Sequence, residues 1–193
     1  MLSFSFNPFP DLHTPRLLLR RMLPSDGEVL FRLRNADAVM QYIDRPRQKD
    51  LEEILAFIAM VDEKIDAHTD INWAIALKTA PDVMIGTIGY YRNNPEHHWG
   101  EVGYMLDPAW WRQGIMLEAL REVLRYGFQT MGFHRVKAGI NPENEASRGL
   151  LLKVGFRKEA YFREDHLSNG VFGDSEEYGL LDREFLQARG LGH

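Results

Sequence analysis

Cysteine is absent from the 193 residues, so disulfides, thiolate metal sites and a cysteine nucleophile are excluded, and any thiol in the chemistry has to arrive with a cofactor. Long apolar runs are missing too: no stretch approaches the roughly 18 uninterrupted apolar residues of a spanning helix. The first ten residues, MLSFSFNPFP, lack the basic start and continuous apolar centre of a signal peptide. The expected location is therefore the cytoplasm, with no membrane partner. Basic charge is in short supply, with 23 Lys and Arg against 28 Asp and Glu and a formal net charge of -5. That balance argues against nucleic acid as the main partner. The histidines at 13, 68, 97, 98, 134, 166 and 193 show no ligand spacing, so no metal site is expected.

What is present is the composition of an ordinary folded domain, 45% hydrophobic and 26% charged. The length suits one domain, with a core region over 14–188, an aromatic arm at 1–13 and a short tail at 189–193. Thr14-Pro15 disfavours a helix start, so Arg16 to Leu23 reads as a first strand. Ser25 with Glu28, and Asp50 with Glu53, form capping-box patterns that open two amphipathic helices. Asn72 to Lys78 and Met84 to Tyr90 read as paired strands divided by Ala80-Pro81-Asp82, and Trp99 to Leu106 as a further strand broken by Asp107-Pro108.

Met116, Ala119, Leu120, Val123, Leu124 and Phe128 recur at helical spacing up to Gly132. Arg135 to Ile140 is a buried strand, and Asn144 to Val154 a helix ended by Gly155. Ser168-Asn169-Gly170 turns one last strand, Phe156 to Leu167, into another, Val171 to Leu181, with fraying expected after Phe185. Short turns imply antiparallel neighbours, whereas the strand, helix, strand unit around residue 120 implies a parallel crossover. The fold class is α/β: a mixed, mostly antiparallel central sheet flanked by helices.

A strand that runs into a helix through Trp110-Trp111-Arg112-Gln113-Gly114 creates a helix N-terminus with free N–H groups and a positive dipole end, suited to phosphate. With one glycine in the loop, a plain tight turn explains Gly114 equally well. The wider context adds more. EVGYMLDPAWWRQGIMLEAL resembles the acetyl-CoA signature Q/R-x-x-G-x-G/A of GCN5-related N-acetyltransferases (GNAT), and Asn144-Glu145-Ala146-Ser147 followed by Lys153-Val154-Gly155-Phe156 matches an N-x-x-S then K-x-G-F pattern. These blocks resemble the RimJ/RimL-like branch, which includes ribosomal-protein N-terminal acetyltransferases. The likeness runs from Thr14 to the strand over Asp174 to Leu181.

The resemblance implies acetyl-CoA as cosubstrate, with its pyrophosphate on the backbone amides of Arg112, Gln113, Gly114, Ile115, Met116 and Leu117. It also implies a splayed parallel strand pair whose gap admits the pantetheine arm beside Met105 and Leu106. Arg112 stands where the branch commonly has Gly, and Met116 where the signature expects Gly or Ala. Glu101 shares a face with Met105 by period two and is the candidate base, against the alternative of a surface carboxylate paired to a neighbouring cation. Many family members place an acidic Tyr where this chain has Leu151. Ser147 resembles the residue that protonates the thiolate in this branch, and Asn144 one that binds the pantetheine; helix capping would explain both as well.

Tyr178 is a weaker candidate that suits packing. The acceptor side is expected between the first two helices, their connection from Met40 to Lys49, and the 167–171 hairpin, with Tyr42, Arg45 and Arg47 on the connection. Glu101, Glu164 and Asp165 would suit a cationic amine if they converge. The acceptor is expected to be a primary amine, a protein N-terminus first, with polyamines, amino acids or aminoglycosides behind it; a non-catalytic acyl-CoA-binding sensor is the competing class. The aromatic arm suits either a homodimer contact or a cover for its own core.

Overall fold

The computed structural model describes residues 1–168 and 170–188; Asn169, at the tip of the expected hairpin turn, and the tail 189–193 lie outside the described residues. Eight strands form one sheet: β1 (Leu12–His13), β2 (Leu17–Arg20), β3 (Ile71–Leu77), β4 (Ala80–Asn94), β5 (Trp99–Leu106), β6 (Arg135–Ile140), β7 (Arg157–Ser168) and β8 (Val171–Leu181), in the order β1-β2-β3-β4-β5-β6-β8-β7. The described helices are α1 (Gly27–Leu33), α2 (Asp37–Met40), α3 (Leu51–Asp66), α4 (Ile115–Gln129), α5 (Glu145–Val154) and α6 (Asp182–Ala188). Every neighbouring pair is antiparallel except β5 with β6.

The central strands are buried on both faces because helices cover both. In β3, Ile71, Trp73, Ala74, Ile75 and Ala76 are all buried. Trp73 meets Tyr126 of α4 edge to face at 5.4 Å between ring centroids, and Tyr90 of β4 donates its hydroxyl to the Val123 carbonyl of α4 at 3.0 Å. Tyr91, the next residue on β4, therefore faces the opposite side, where α1 and α3 pack. The arm closes the core of its own chain: Phe6 is 2% exposed, Phe4 meets Phe133 edge to face, and the Trp73 indole donates to the Pro10 carbonyl. Among the described residues no helix is long and apolar enough to cross a membrane.

Local departures from the sequence reading have local causes. The first long strand is Leu17–Arg20 rather than Arg16 to Leu23, and the two-residue β1 before it is too short to show a period. Ser25 and Glu28 form no capping box. The Asp26 carboxylate does the anchoring instead, accepting from the Leu23 N–H at 2.8 Å and from two Arg20 nitrogens at 2.8 Å in a buried bidentate pair. The second pattern forms its cap as expected, Asp50 accepting from the Glu53 N–H at 2.9 Å. Ala80-Pro81-Asp82 lies inside the start of β4, where the register is irregular and a proline is tolerated. Two extra helices, α2 and α6, appear; α6 continues to Ala188 because Phe185 is buried against Phe128, at 5.2 Å between ring centroids, rather than fraying.

Candidate active site

The site begins where the sheet divides. β5 and β6 run parallel for three residue pairs, Trp99 with Arg135, Gly100 with Val136 and Glu101 with Lys137, and are not paired beyond them. β5 continues to Leu106 alongside β4, and β6 to Ile140 alongside β8. A gap therefore opens after Glu101, bordered by the main chain of Val102–Leu106 on one side and Ala138–Ile140 on the other. Met105 and Leu106 lie on this edge. The Trp111 indole fixes its end by donating to the Leu106 carbonyl at 2.8 Å, and the Asp107 N–H is held by the Ile85 carbonyl.

Beyond the edge the chain turns into α4 through residues in the left-handed region, Arg112 at φ 58° and Gly114 at φ 75°. The branch's usual glycine at 112 therefore serves a positive φ, which Arg adopts here against the ordinary preference of a side chain. Arg112, Gln113 and Gly114 are exposed, Ile115 is buried, and Met116 and Leu117 pack against the core. Met116 thus points inward and leaves the main-chain surface of the loop open. The first i to i−4 bond of α4 is donated by Glu118 to the Gly114 carbonyl, so the N–H groups of Ile115, Met116 and Leu117 lie in the first turn, ahead of the helical ladder.

Arg16 braces the loop from below, donating to the Gln113 carbonyl at 3.0 Å and to Glu118 at 2.7 Å, while Thr14 donates to Glu118 at 2.5 Å. A groove of about 420 Å³, lined by His13, Arg16, Gly114, Leu117 and Arg121 among others, adjoins Gly114. First-turn amides at a helix N-terminus, beside a gap in a sheet, fit a pyrophosphate with an extended arm.

Two groups of polar side chains flank the gap on opposite faces of the sheet. On the α1 and α3 face stands Glu101, with a side chain only 15% exposed and an ion pair to Arg92 at 3.4 Å. Its cross-strand partner is Tyr91, whose phenol is pushed up to about 12, first by burial and then by the Glu101 charge. The Tyr91 ring occupies the space over Gly103, where an added Cβ would come within 2.3 Å of it. Glu101 also reaches toward Gly139, across the gap, with an oxygen 3.8 Å from the position of an added Cβ.

On the other face Tyr104 extends from β5 to α5, its hydroxyl 2.7 Å from that of Ser147. Burial pushes the Tyr104 phenol up to about 12 against the lowering effect of the Ser147 contact. Ser147 itself is 8% exposed. Sequence reading missed Tyr104; its only signal was a polar-tipped ring in the row Val102, Tyr104, Leu106 that faces the core.

The remaining candidates have partners of their own. The Asn144 side-chain oxygen accepts from the Ser147 N–H at 3.0 Å and caps α5, a role that its side-chain amide NH2 does not share. Tyr178 donates to the buried Glu176 at 2.8 Å, which also binds Lys158 and Arg148. Asp165 holds Ser175 and His166 within the β7–β8 hairpin, and no contact among the described residues brings Glu164 or Asp165 to Glu101. Arg47 binds Asp37 and the Asn35 carbonyl, whereas Arg45 lies over the Tyr91 ring at 5.7 Å. Among the described residues no cluster of three or more metal-ligating side chains occurs.

This geometry can be set beside known proteins. Residues 16–157 match the family model described as an acetyltransferase (GNAT) domain. Over 173 residues, 90% of this chain and 97% of the relative, the chain is 33% identical to the uncharacterized N-acetyltransferase YoaA of Bacillus subtilis (strain 168). Over 88 residues, 46% of this chain and 45% of the relative, it is 37% identical to the ribosomal protein uS5-alanine N-acetyltransferase of Escherichia coli (strain K12). The fold is shared with a spermidine N-acetyltransferase from Vibrio cholerae solved with CoA and spermine, at a TM-score of 0.79 and 19% identity, covering 90% of this chain and 99% of that one. The chain belongs to the GNAT family and is an N-acetyltransferase that takes its acetyl group from acetyl-CoA.

Proposed function

We propose that the chain acetylates a protein N-terminal α-amine. The observation that carries this reading is Glu101 at the mouth of the gap, beside the last paired rung of β5 and β6 and on the face where the connection from Met40 to Lys49 and the β7–β8 hairpin meet. That meeting is the His166–Asp44 contact at 2.5 Å, which bridges over the acceptor side and favours an acceptor presented end first. The sequence likeness to an enzyme acting on a ribosomal protein's alanine supports the same choice.

Acetyl-CoA supplies a thioester carbonyl, open to attack by an uncharged amine. The protein's part is to hold the donor and manage protons. The amides from Arg112 to Leu117 hold the pyrophosphate, and the edges of β5 and β6, including Met105 and Leu106, align the arm. Glu101 takes the proton that the attacking amine must lose. Ser147, held by Tyr104, donates its O–H toward the departing sulfur from the other face. Asn144 caps α5 with its side-chain oxygen and offers its side-chain amide to the pantetheine arm.

The test is a mass shift on a panel of peptides with varied first residues, run beside spermidine and free amino acids. Acetylation at the α-amine of selected peptides is expected, and modification of spermidine with no peptide product would sink the proposal. Glu101→Gln should lower kcat by about 10²- to 10⁴-fold, the usual worth of a positioned base. Its activity should recover as pH rises past the ordinary α-amine value of about 8, where the acceptor loses its proton unaided. A loss independent of pH would assign Glu101 a structural role instead.

A further inference from the structure

Arg34 follows the last residue of α1 and is 5% exposed. Its Nε is buried without a hydrogen-bond partner, and among the described residues its guanidinium makes no ion pair; the Phe57 ring lies 4.2 Å from its carbon. Buried cations are ordinarily paired, because losing water without gaining a counter-ion is costly. The nearest like charge worsens matters: burial first, and then Arg45, hold the Arg34 pKa below its ordinary value. The acids that could answer these charges are engaged elsewhere, Asp37 with Arg47 at 2.5 Å and Asp44 with His166 at 2.5 Å. Arg45 in turn lies over Tyr91, the cross-strand neighbour of Glu101. Arg34 and Arg45 therefore join Arg92, the ion-pair partner of Glu101, on the face where Glu101 stands, and Arg34 is buried and unanswered.

We infer that Arg34 and Arg45 form a carboxylate site for the acceptor, so that its amine meets Glu101 while a negative group close by in the same molecule meets the arginines. The inference rests on the acceptor side assigned above and narrows the acceptor class. Two sources carry that chemistry: the side chain of Asp or Glu next to the terminal residue of a peptide, or the α-carboxylate of a free amino acid. A polyamine offers cations alone and would be repelled.

The test compares kcat/KM for the C-terminally amidated peptides Ser-Asp-Ala and Ser-Asn-Ala, for serine against serinamide, and for spermidine. A preference for the carboxylate partner of at least one pair by about tenfold or more is expected, the scale of one charge-assisted hydrogen bond. That ratio should fall toward one in Arg34→Met and be partly kept in Arg34→Lys. A preference in the peptide pair identifies an acidic side chain, and one in the serine pair an α-carboxylate. A second readout needs no turnover: with CoA present, N-acetylated Ser-Asp-Ala should raise the Tm of the native chain more than N-acetylated Ser-Asn-Ala does, and Arg34→Met should lose the difference.

Equal kcat/KM within both pairs together with equal thermal shifts overturns the site, as does a spermidine kcat/KM above those of the carboxylate acceptors. Should no acceptor be acetylated while the acidic product still stabilises, the carboxylate site stands and the assigned acceptor class fails. If Arg34→Met does not fold, the native ratios and Arg34→Lys decide.

Discussion

The phenol of Tyr104 and the hydroxyl of Ser147 meet at 2.7 Å across a gap that no backbone pairing spans. A phenol pushed up to about 12 stays protonated through the working range and is able to donate to Ser147, the arrangement that leaves the serine O–H free to point at sulfur. It follows that Tyr104→Phe should lower kcat by about tenfold or more, with a smaller effect on KM for acetyl-CoA. Ser147→Ala should do likewise, and the double variant should be little worse than the weaker single one, because the two act as one unit. Additive losses in steady-state kinetics would refute the coupling. At this scale Glu101 and Ser147 could be singled out as candidates from sequence, because a carboxylate in the strand before the loop and an N-x-x-S block have recognisable settings. Tyr104 and Arg34 were not, since their meaning depends on partners 43 and 23 positions away, Ser147 and Phe57.

Elements were legible in proportion to their length. β5, α4 and β6 stand where periodicity places them, because each is long enough to repeat its burial pattern. The one-turn α2 and the two-residue β1 carry no period, and the rival cap at Asp26 depends on Arg20 arriving from another element. The loop into α4 shows what backbone shape alone demands. Gly114 sits at φ 75°, and an added Cβ would meet nothing closer than Arg16 at 3.5 Å, so the demand is conformational rather than steric. Gly114→Ala should therefore cost about 1–2 kcal/mol of stability and weaken CoA binding as the free amides rotate out of line. Thermal unfolding and a CoA titration check both parts; unchanged affinity with lowered Tm would separate the loop from the cosubstrate.

For the molecule as a whole, carboxylates held below their ordinary range contribute to the response to acid: Asp165 and Asp174 on the β7–β8 hairpin, and Glu118 and Glu176. Burial, the largest single influence, pushes both Glu118 and Glu176 up, but it is outweighed: Thr14 and Arg16 hold Glu118 below the ordinary 4.5, and Lys158, Tyr178 and Arg148 do the same for Glu176. The unfolded chain then binds more protons than the folded one, so their contribution is present above about pH 4.5 and lost as pH falls through the lower folded values. Glu176→Gln should accordingly lower Tm at about pH 7 and differ less from the native chain at about pH 3, as read by thermal unfolding across pH.

The mixed sheet was readable at this scale from strand order and turn lengths. The bridge from His166 to Asp44 was not, because it joins segments 122 positions apart. The short parallel contact between β5 and β6 has a mechanical meaning as well. It makes the sheet a hinged object of five strands and three, with a spine of three residue pairs. A molecule lying in the opening would brace the two leaves, which would make the cosubstrate a removable stiffener as well as a donor.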